Sequence, residues 1–178
     1  MLFRSVCTWL GQVQADDKSR PEVARALDPL VKSSDHWLRE AALKALVRWG
    51  TKDNVDTLVD TIQKGDLGLG GARTAAIQAL GTIKDDRAAP AVAARLGDFF
   101  DREHAAAALE AMGPGAEKSV QPYVGHNDAG VRVLACRVLK TVGSKDSLKV
   151  LELHAKGDMN PEARAAAAMA YAAIKGRQ

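Results

Sequence analysis

An arginine recurs along the chain at intervals of 34, 29, 30 and 32 residues, and the residues after it recur with it. The five positions are Arg39, Arg73, Arg102, Arg132 and Arg164. Alanine stands three residues after each, alanine or valine six after, and a larger apolar or aromatic residue seven and ten after. Offsets of three, six or seven, and ten lie on one face of an α-helix. The sequence therefore predicts a repeated amphipathic helix.

A break and a second apolar segment follow these helices. Gly50, Gly113 and Gly143 stand at breaks, where we expect glycine to end the helix in the left-handed conformation. The second segments are amphipathic, and in the last of them Leu151 and Leu153 are among the apolar positions. Each repeat is therefore predicted to be a helix, a tight turn and a second helix.

The predicted fold class is all-α, a right-handed α-solenoid of stacked antiparallel helix pairs. One domain is expected over 1–178. Its repeats are predicted at about 1–34, 35–66, 69–98, 99–126, 127–157 and, in part, 158–178. Phe3 takes the arginine position in the first repeat. Because only 4% of the residues are aromatic, the core must close by packing small side chains at short range.

Individual positions within the repeat carry further predictions. Trp9 and Trp49 fall in apolar columns and are expected in the core, whereas Trp37 is expected at the surface. Cys7 and Cys136 lie in apolar helical stretches, where a buried thiol is expected. The expected N-cap residues of the arginine helices are Asp35, Asp101, Asp128 and Asn160.

The motif of Val131 and Arg132 followed by Ala135 and Leu139 resembles the HEAT repeat family, and 72–83 has the same order of residues. The resemblance is to the short bacterial type also seen in phycobilisome lyases, and it covers about 3–174. It implies stacked repeats that share a continuous core and form a broad concave face suited to grasping another macromolecule. It specifies the fold and not the function.

The repeated arginine is predicted to form a structural ladder between neighbouring repeats. Its expected partners are acidic side chains of the next repeat or carbonyl groups at helix ends. Asp53, Asp86 and Asp146 recur in the turns within the repeats and are the expected acidic partners.

The predicted function is a non-catalytic scaffold for protein–protein interactions. We expect the second helices to line the concave face and to carry the contacts. The candidates for partner binding are Arg25, Asp56, Asp60, Arg87, Arg95, Lys118, Lys149 and Glu152. The expected partner is a protein of unknown identity, or further repeats and domains of a longer chain.

Three alternatives stay open. The first is a structural or regulatory segment of a larger multidomain protein, because the series begins inside one arginine-type helix and stops after another. The second is a DNA enzyme similar to HEAT-like alkylpurine glycosylases, for which Trp37 is the exposed aromatic candidate, but the surface charge is mixed rather than a basic row. The third is a bilin lyase, suggested by the repeat subtype alone.

Metal and nucleotide chemistry find little support in the residues. The four histidines are His36, His104, His126 and His154, and none is followed by the glutamate of the His-Glu pairs that deoxyhypusine hydroxylase-like relatives carry. The glycine-rich stretch 65–71 is predicted to be a long inter-repeat loop, because no strand precedes it and no Gly-Lys-Ser/Thr ending follows. No cofactor and no metal are expected.

Charge and hydropathy limit the setting. Lys and Arg number 25 against 22 Asp and Glu, so the net charge of +3 predicts no nucleic-acid partner. No window approaches a membrane-spanning length of apolar residues. The apolar start faintly resembles a secretory signal, but the repeat explains it better. Two isolated cysteines favour a reducing, cytoplasmic location.

Overall fold

The chain folds into helices joined by short connections. The computed structural model describes residues 2–64 and 71–177. Within them it contains eleven α-helices: α1 (Leu2–Leu10), α2 (Arg20–Val31), α3 (His36–Trp49), α4 (Val55–Gln63), α5 (Gly71–Ile83), α6 (Ala89–Ala94), α7 (Arg102–Met112), α8 (Glu117–Val120), α9 (Ala129–Val142), α10 (Leu148–Gly157) and α11 (Pro161–Lys175). No helix of the described part is long and apolar enough to cross a membrane.

The odd-numbered helices stack in one layer, and all of them after α1 carry the repeated arginine, while the even-numbered helices form a second layer. Short 3₁₀ turns precede α4, α6, α8 and α10, and two more extend α6 and α8. One apolar core of buried residues runs from Cys7 to Ile174. The predicted all-α solenoid of stacked helix pairs is confirmed.

The closest pairs differ from the predicted repeat units. Each even-numbered helix packs mainly against the odd-numbered helix that follows it, as α2 does on α3 and α10 on α11. The predicted limits at 34/35, 98/99, 126/127 and 157/158 fall in the connections inside these pairs. The packing therefore favours a unit that begins with an even-numbered helix.

The odd-numbered helices approach each other closely because their facing side chains are small. The alanines three and six residues after the arginine are buried, as Ala76 and Ala79 are in α5. A Cβ atom on Gly81 would lie only 2.8 Å from the Cα atom of Ala108 in α7. The backbones of α5 and α7 can approach this closely only because position 81 has no side chain.

The even-numbered helices are shorter and pack less extensively on one another. The expectation that the second helices line a concave face stays a prediction.

Buried polar side chains connect neighbouring even-numbered helices. Asn54, before α4, donates from Nδ2 to the carbonyl of Ala24 in α2 at 3.1 Å. The carboxylate of Glu117, in α8, accepts the Ser147 hydroxyl at 2.6 Å and the Ser144 amide at 2.8 Å. Burial alone raises the pKa of Glu117, but these hydrogen bonds outweigh it and hold the pKa below its usual range.

Glycine ends the odd-numbered helices for two different reasons. Gly113 has a positive φ of 81°, as a left-handed cap requires, but its ψ of −152° lies outside the left-handed helical region that was predicted. Gly50 and Gly143 have φ values of −59° and −72°, so the prediction is wrong for them. A Cβ atom there would lie 2.6 Å or less from the carbonyl oxygen at the end of the preceding helical turn, and a side chain of the next odd-numbered helix also packs against each glycine.

The tryptophans follow the prediction in two of three cases. Trp49 is buried and donates from Nε1 to the Leu10 carbonyl at 2.9 Å, and Trp37 is exposed. Trp9 is 59% exposed, so its predicted burial is wrong. Its column is covered elsewhere by the neighbouring odd-numbered helix, and no described helix packs on that side of α1.

Two further predictions concern thiols and the glycine-rich stretch. Cys7 and Cys136 are buried and free, as expected for small core residues. Burial raises the pKa of Cys136 to about 12. The predicted long loop at 65–71 lies outside the described residues except for Gly71, which begins α5.

We expect Gly81→Val to lower the free energy of unfolding by about 1–3 kcal/mol, because the added side chain meets the α7 backbone. Gly157→Ala is the matched control, since a Cβ atom on Gly157 has no neighbour within 4 Å. The free energy of unfolding of that variant should rise by about 0.4–1 kcal/mol, because alanine leaves the unfolded chain fewer conformations than glycine does. Urea denaturation measures both, and equal stability of Gly81→Val and the parent chain would contradict the close approach.

Candidate functional site

The arginine near the start of each odd-numbered helix points to the loop between an even-numbered helix and the next odd-numbered one. Arg73 in α5 forms ion pairs with Asp101 at 2.6 Å and Asp98 at 3.8 Å, both in the loop before α7. Asp101 is only 1% exposed and has no side-chain capping hydrogen bond, so its predicted N-cap role is wrong. Its carboxylate serves the ion pair instead.

Arg132 in α9 makes the fullest set of contacts. Its Nε and Nη2 atoms donate to the two carboxylate oxygens of Asp158, each at 2.7 Å. Its Nη1 atom donates to the carbonyl groups of His126 and Asn127, at 2.8 and 3.1 Å. A fork that binds one carboxylate through two nitrogens fixes distance and orientation together. Arg132 therefore joins two consecutive loops.

The other three arginines use weaker or local partners. Arg39 Nη1 donates to the Ser33 carbonyl at 3.4 Å, and Arg164 Nη1 donates to the Asp158 carbonyl at 2.6 Å. The guanidinium of Arg102 lies 4.7 Å from the centre of the Phe99 ring. The ladder is thus uneven along the stack.

The expected acidic partners of the ladder are wrong. Asp53, Asp86 and Asp146 lie in the turns after the C-terminal ends of odd-numbered helices, whereas the arginines lie in their first turns. A helix such as α3, with 14 residues, is about 20 Å long, and the acidic partners observed in the next repeat, Asp101 and Asp158, lie at the arginine end of the helices. The three true capping residues are Asp35, Asp128 and Asn160, each of which accepts two backbone N–H groups as predicted.

The pKa values of the two acidic partners, Asp101 and Asp158, are shifted in opposite directions. Burial raises the pKa of Asp101, and the attraction of Arg73 does not compensate for it. The pKa of Asp158 lies well below its usual range, mainly because Arg132 hydrogen-bonds to the carboxylate. The amide of Asn160 and the ring of His154 assist.

Arg73→Met should destabilise the chain by about 3–5 kcal/mol, because it leaves the buried Asp101 carboxylate without its cation. At about 2–4 °C per kcal/mol for a chain of this size, the loss is visible as a lower Tm. Arg25→Met removes an exposed arginine and serves as the control. An unchanged Tm for Arg73→Met would count against the ladder.

Asp158→Asn should lower Tm at neutral pH. A carboxylate with a depressed pKa stabilises the fold above its unfolded pKa, and this contribution is lost as the pH falls through the folded value. The Tm difference from the parent chain should therefore shrink below about pH 4, the ordinary range of aspartate. Calorimetry over that range tests it, with the exposed Asp146→Asn as control. A difference independent of pH would contradict this origin.

The eight residues predicted to bind a partner do not form one site. They lie on even-numbered helices or next to them, over most of the length of the stack. Arg87 lies 3.5 Å from Asp56, whereas Asp60 pairs with Lys64 and Arg95 lies 3.9 Å from Asp98. Arg25 borders a separate small pocket with Asp28, and Lys118 is exposed on α8. Only Lys149 and Glu152 line one larger depression together.

This depression is a groove between α10 and the turn after α8, and we call it the α10 groove. Its volume is about 740 Å³. Its apolar floor is formed by Pro122, Val150 and Leu153. Its rim carries the charged residues Asp146, Lys149, Glu152 and Lys156. Leu153 is 68% exposed.

Leu153 was missed as a surface residue because it was counted with Leu151 as an apolar position of the same helix. Leu151 is fully buried, and a residue two positions further points to nearly the opposite side of an α-helix. This angle is readable from the sequence. The place of Pro122 in the groove cannot be read from the sequence, because it depends on how two segments that are distant in the chain stack.

A second depression lies across α3 and α5 on the exposed side of the odd-numbered layer, with a volume of about 640 Å³. Arginine, lysine, glutamine and threonine side chains line it, and no carboxylate does. We call it the basic groove. Its principal side chains are Gln14, Arg20, Lys44, Arg48, Gln78 and Thr82. The sequence analysis nominated none of them.

The described residues hold no cluster of three or more His, Cys, Asp or Glu side chains that could bind a metal. His154 and Asp158 are the closest approach to such a pair, at 3.3 Å, and Asp158 is already held by Arg132.

Comparison with known proteins agrees with this architecture. The model of the HEAT repeat family matches residues 23–113 and 101–172. No curated protein matches the chain significantly in sequence. Two crystal structures of engineered proteins, both targets of the Northeast Structural Genomics Consortium, share the fold. One has a TM-score of 0.63 at 18% identity and the other 0.61 at 17%; the alignments cover 97% of this chain and 90% and 92% of those chains. The chain belongs to the HEAT repeat family.

Proposed function

We propose that the chain is a non-catalytic scaffold that binds a partner protein in the α10 groove. The observation that carries the proposal is the exposed Leu153 on the floor of a groove of about 740 Å³. An exposed apolar patch with a rim of polar residues is typical of an interaction site. HEAT repeats supply a rigid extended support for such a surface.

The rim of the groove defines the kind of partner. Lys149 and Lys156 alternate with Asp146 and Glu152 around the apolar floor. Glu152 and Lys156 already form an exposed pair at 2.6 Å, so the rim is balanced in charge. The fitting occupant is an amphipathic helix of another protein, with one apolar stripe and charges of both signs at its borders.

The proposal differs from the predicted surface in extent. Of the eight candidates, Lys149 and Glu152 belong to the α10 groove, and the other six lie elsewhere on the even-numbered layer or beside it. A larger complex of several repeats would use them as additional contacts. The fold gives no residue set for the lyase or glycosylase alternatives.

The test compares three forms of the immobilised chain in native lysate: the parent chain, Leu153→Asp and Met169→Asp. Met169 is 61% exposed on α11 and outside the groove, so it is a matched apolar control. We expect a partner retained by the parent chain and by Met169→Asp and lost with Leu153→Asp. The purified partner should then bind Leu153→Asp at least about tenfold more weakly, the cost of burying a charge at an apolar anchor.

A fourth form replaces Asp56, Asp60, Arg87 and Arg95 by alanine. A partner lost with this form and kept by Leu153→Asp would overturn the α10 groove in favour of the even-numbered layer further along the stack. If no captured protein depends on either substitution while all forms keep the parent Tm, the scaffold proposal fails for this surface.

A further inference from the structure

The basic groove lies on the layer opposite to the α10 groove and near the other end of the stack. Arg20 begins α2, Lys44 and Arg48 belong to α3, and Gln78 and Thr82 to α5. A smaller depression of about 400 Å³ continues from it and shares Lys44. This continuation adds Arg4, Glu40 and the exposed Trp37, whose ring centre lies 5.5 Å from the Arg4 guanidinium.

Carboxylates offset only part of the positive charge of the basic groove. Lys44 pairs with Glu40 at 2.6 Å. Arg48 uses Nε to donate to the Gly11 carbonyl at 2.7 Å, a neutral partner. The nearest carboxylate to Arg20 is that of Asp17 at 3.7 Å, and Asp17 is almost fully exposed. The buried Nε of Arg20 has no hydrogen-bond partner among the described residues.

The C-terminal half of the same layer shows what a neutralised surface looks like. Arg137 in α9 occupies the repeat position that Lys44 has in α3, five residues after the repeated arginine. It bonds to two carboxylates of α7, Glu103 at 2.9 Å and Glu110 at 3.1 Å. The positions that correspond to Glu103 and Glu110 before Lys44 are Arg4 and Gly11, and neither is acidic. The excess of positive charge is therefore local.

We infer that the basic groove binds an acidic peptide segment of a partner protein. The cations supply charge complementarity for glutamate and aspartate side chains. The amides of Gln14 and Gln78 can donate to and accept from an extended peptide backbone. Val47 in the groove and Trp37 in its continuation offer apolar contact between the charged positions.

A nucleic-acid strand is the less suitable occupant. Phosphates would follow one another along the whole layer, but the positive surface ends at α5, and Glu103 and Glu110 stand on α7. The net charge of the chain is only +3. A compact cationic groove flanked by carboxylates fits a short acidic segment better than a polyanion.

The test measures binding of a labelled peptide in which glutamate alternates with glycine and leucine, by fluorescence anisotropy at low salt. A peptide with glutamine in place of glutamate is the control ligand. The double variant Arg20→Gln/Lys44→Gln should bind the acidic peptide about tenfold more weakly, the effect of losing two rim charges. Lys52→Gln/Lys140→Gln has the same change of net charge at exposed sites outside the groove and should bind like the parent chain.

Three outcomes would overturn the inference: equal loss of binding in both double variants, equal binding of the glutamine peptide, or tighter binding of an oligothymidine strand than of the acidic peptide. Circular dichroism and Tm confirm that the variants are folded. Leu153→Asp is measured in parallel and should bind the acidic peptide normally, because the α10 groove is a separate surface. The failure of one proposal therefore leaves the other intact.

Discussion

Close packing between odd-numbered helices is the constraint on which the rest of the structure depends. Alanines at two positions of the repeat, and Gly81 opposite Ala108, allow neighbouring backbones to approach to within the size of a methyl group. Each interface is thin, so no helix pair buries enough apolar surface to be stable alone. Stability arises from the sum of neighbouring interfaces. The same packing leaves the outer face of each odd-numbered helix free to carry polar and charged side chains.

Much of the fold was predictable because the repeat is visible in one column of arginines and four columns of small or apolar residues. The pairing of helices was not, because a helix–turn–helix–turn series can be divided at either turn. The burial of Trp9 was also mispredicted, since a column position is covered only where a neighbouring helix exists. The ladder failed in its partners for a geometric reason: Asp53 and Arg39 lie at opposite ends of α3.

The two grooves illustrate a different limit. Leu153 could have been placed at the surface from its angle to Leu151 on the same helix. The side of the α10 groove that α10 forms was therefore predictable from the sequence. The basic groove was not visible, because Arg20, Arg48 and Gln78 are brought together only by the stacking of three helices. Charge counting over the whole chain hides such a site, since a local group of cations is lost in the near balance of 25 Lys and Arg against 22 Asp and Glu.

The ladder also shows that one repeated interaction need not have one energetic role. Asp101 and Asp158 both face an arginine of the preceding odd-numbered helix. Asp158 receives a two-nitrogen fork, a backbone amide and a histidine, so its ionisation is favoured in the folded chain. Asp101 meets Arg73 without such support, its pKa is raised, and its ionisation at neutral pH opposes folding relative to the unfolded chain. The Arg73–Asp101 pair therefore serves mainly to fix the register of α5 against the loop before α7. The Arg132–Asp158 pair fixes the register of its helix and also stabilises the folded chain.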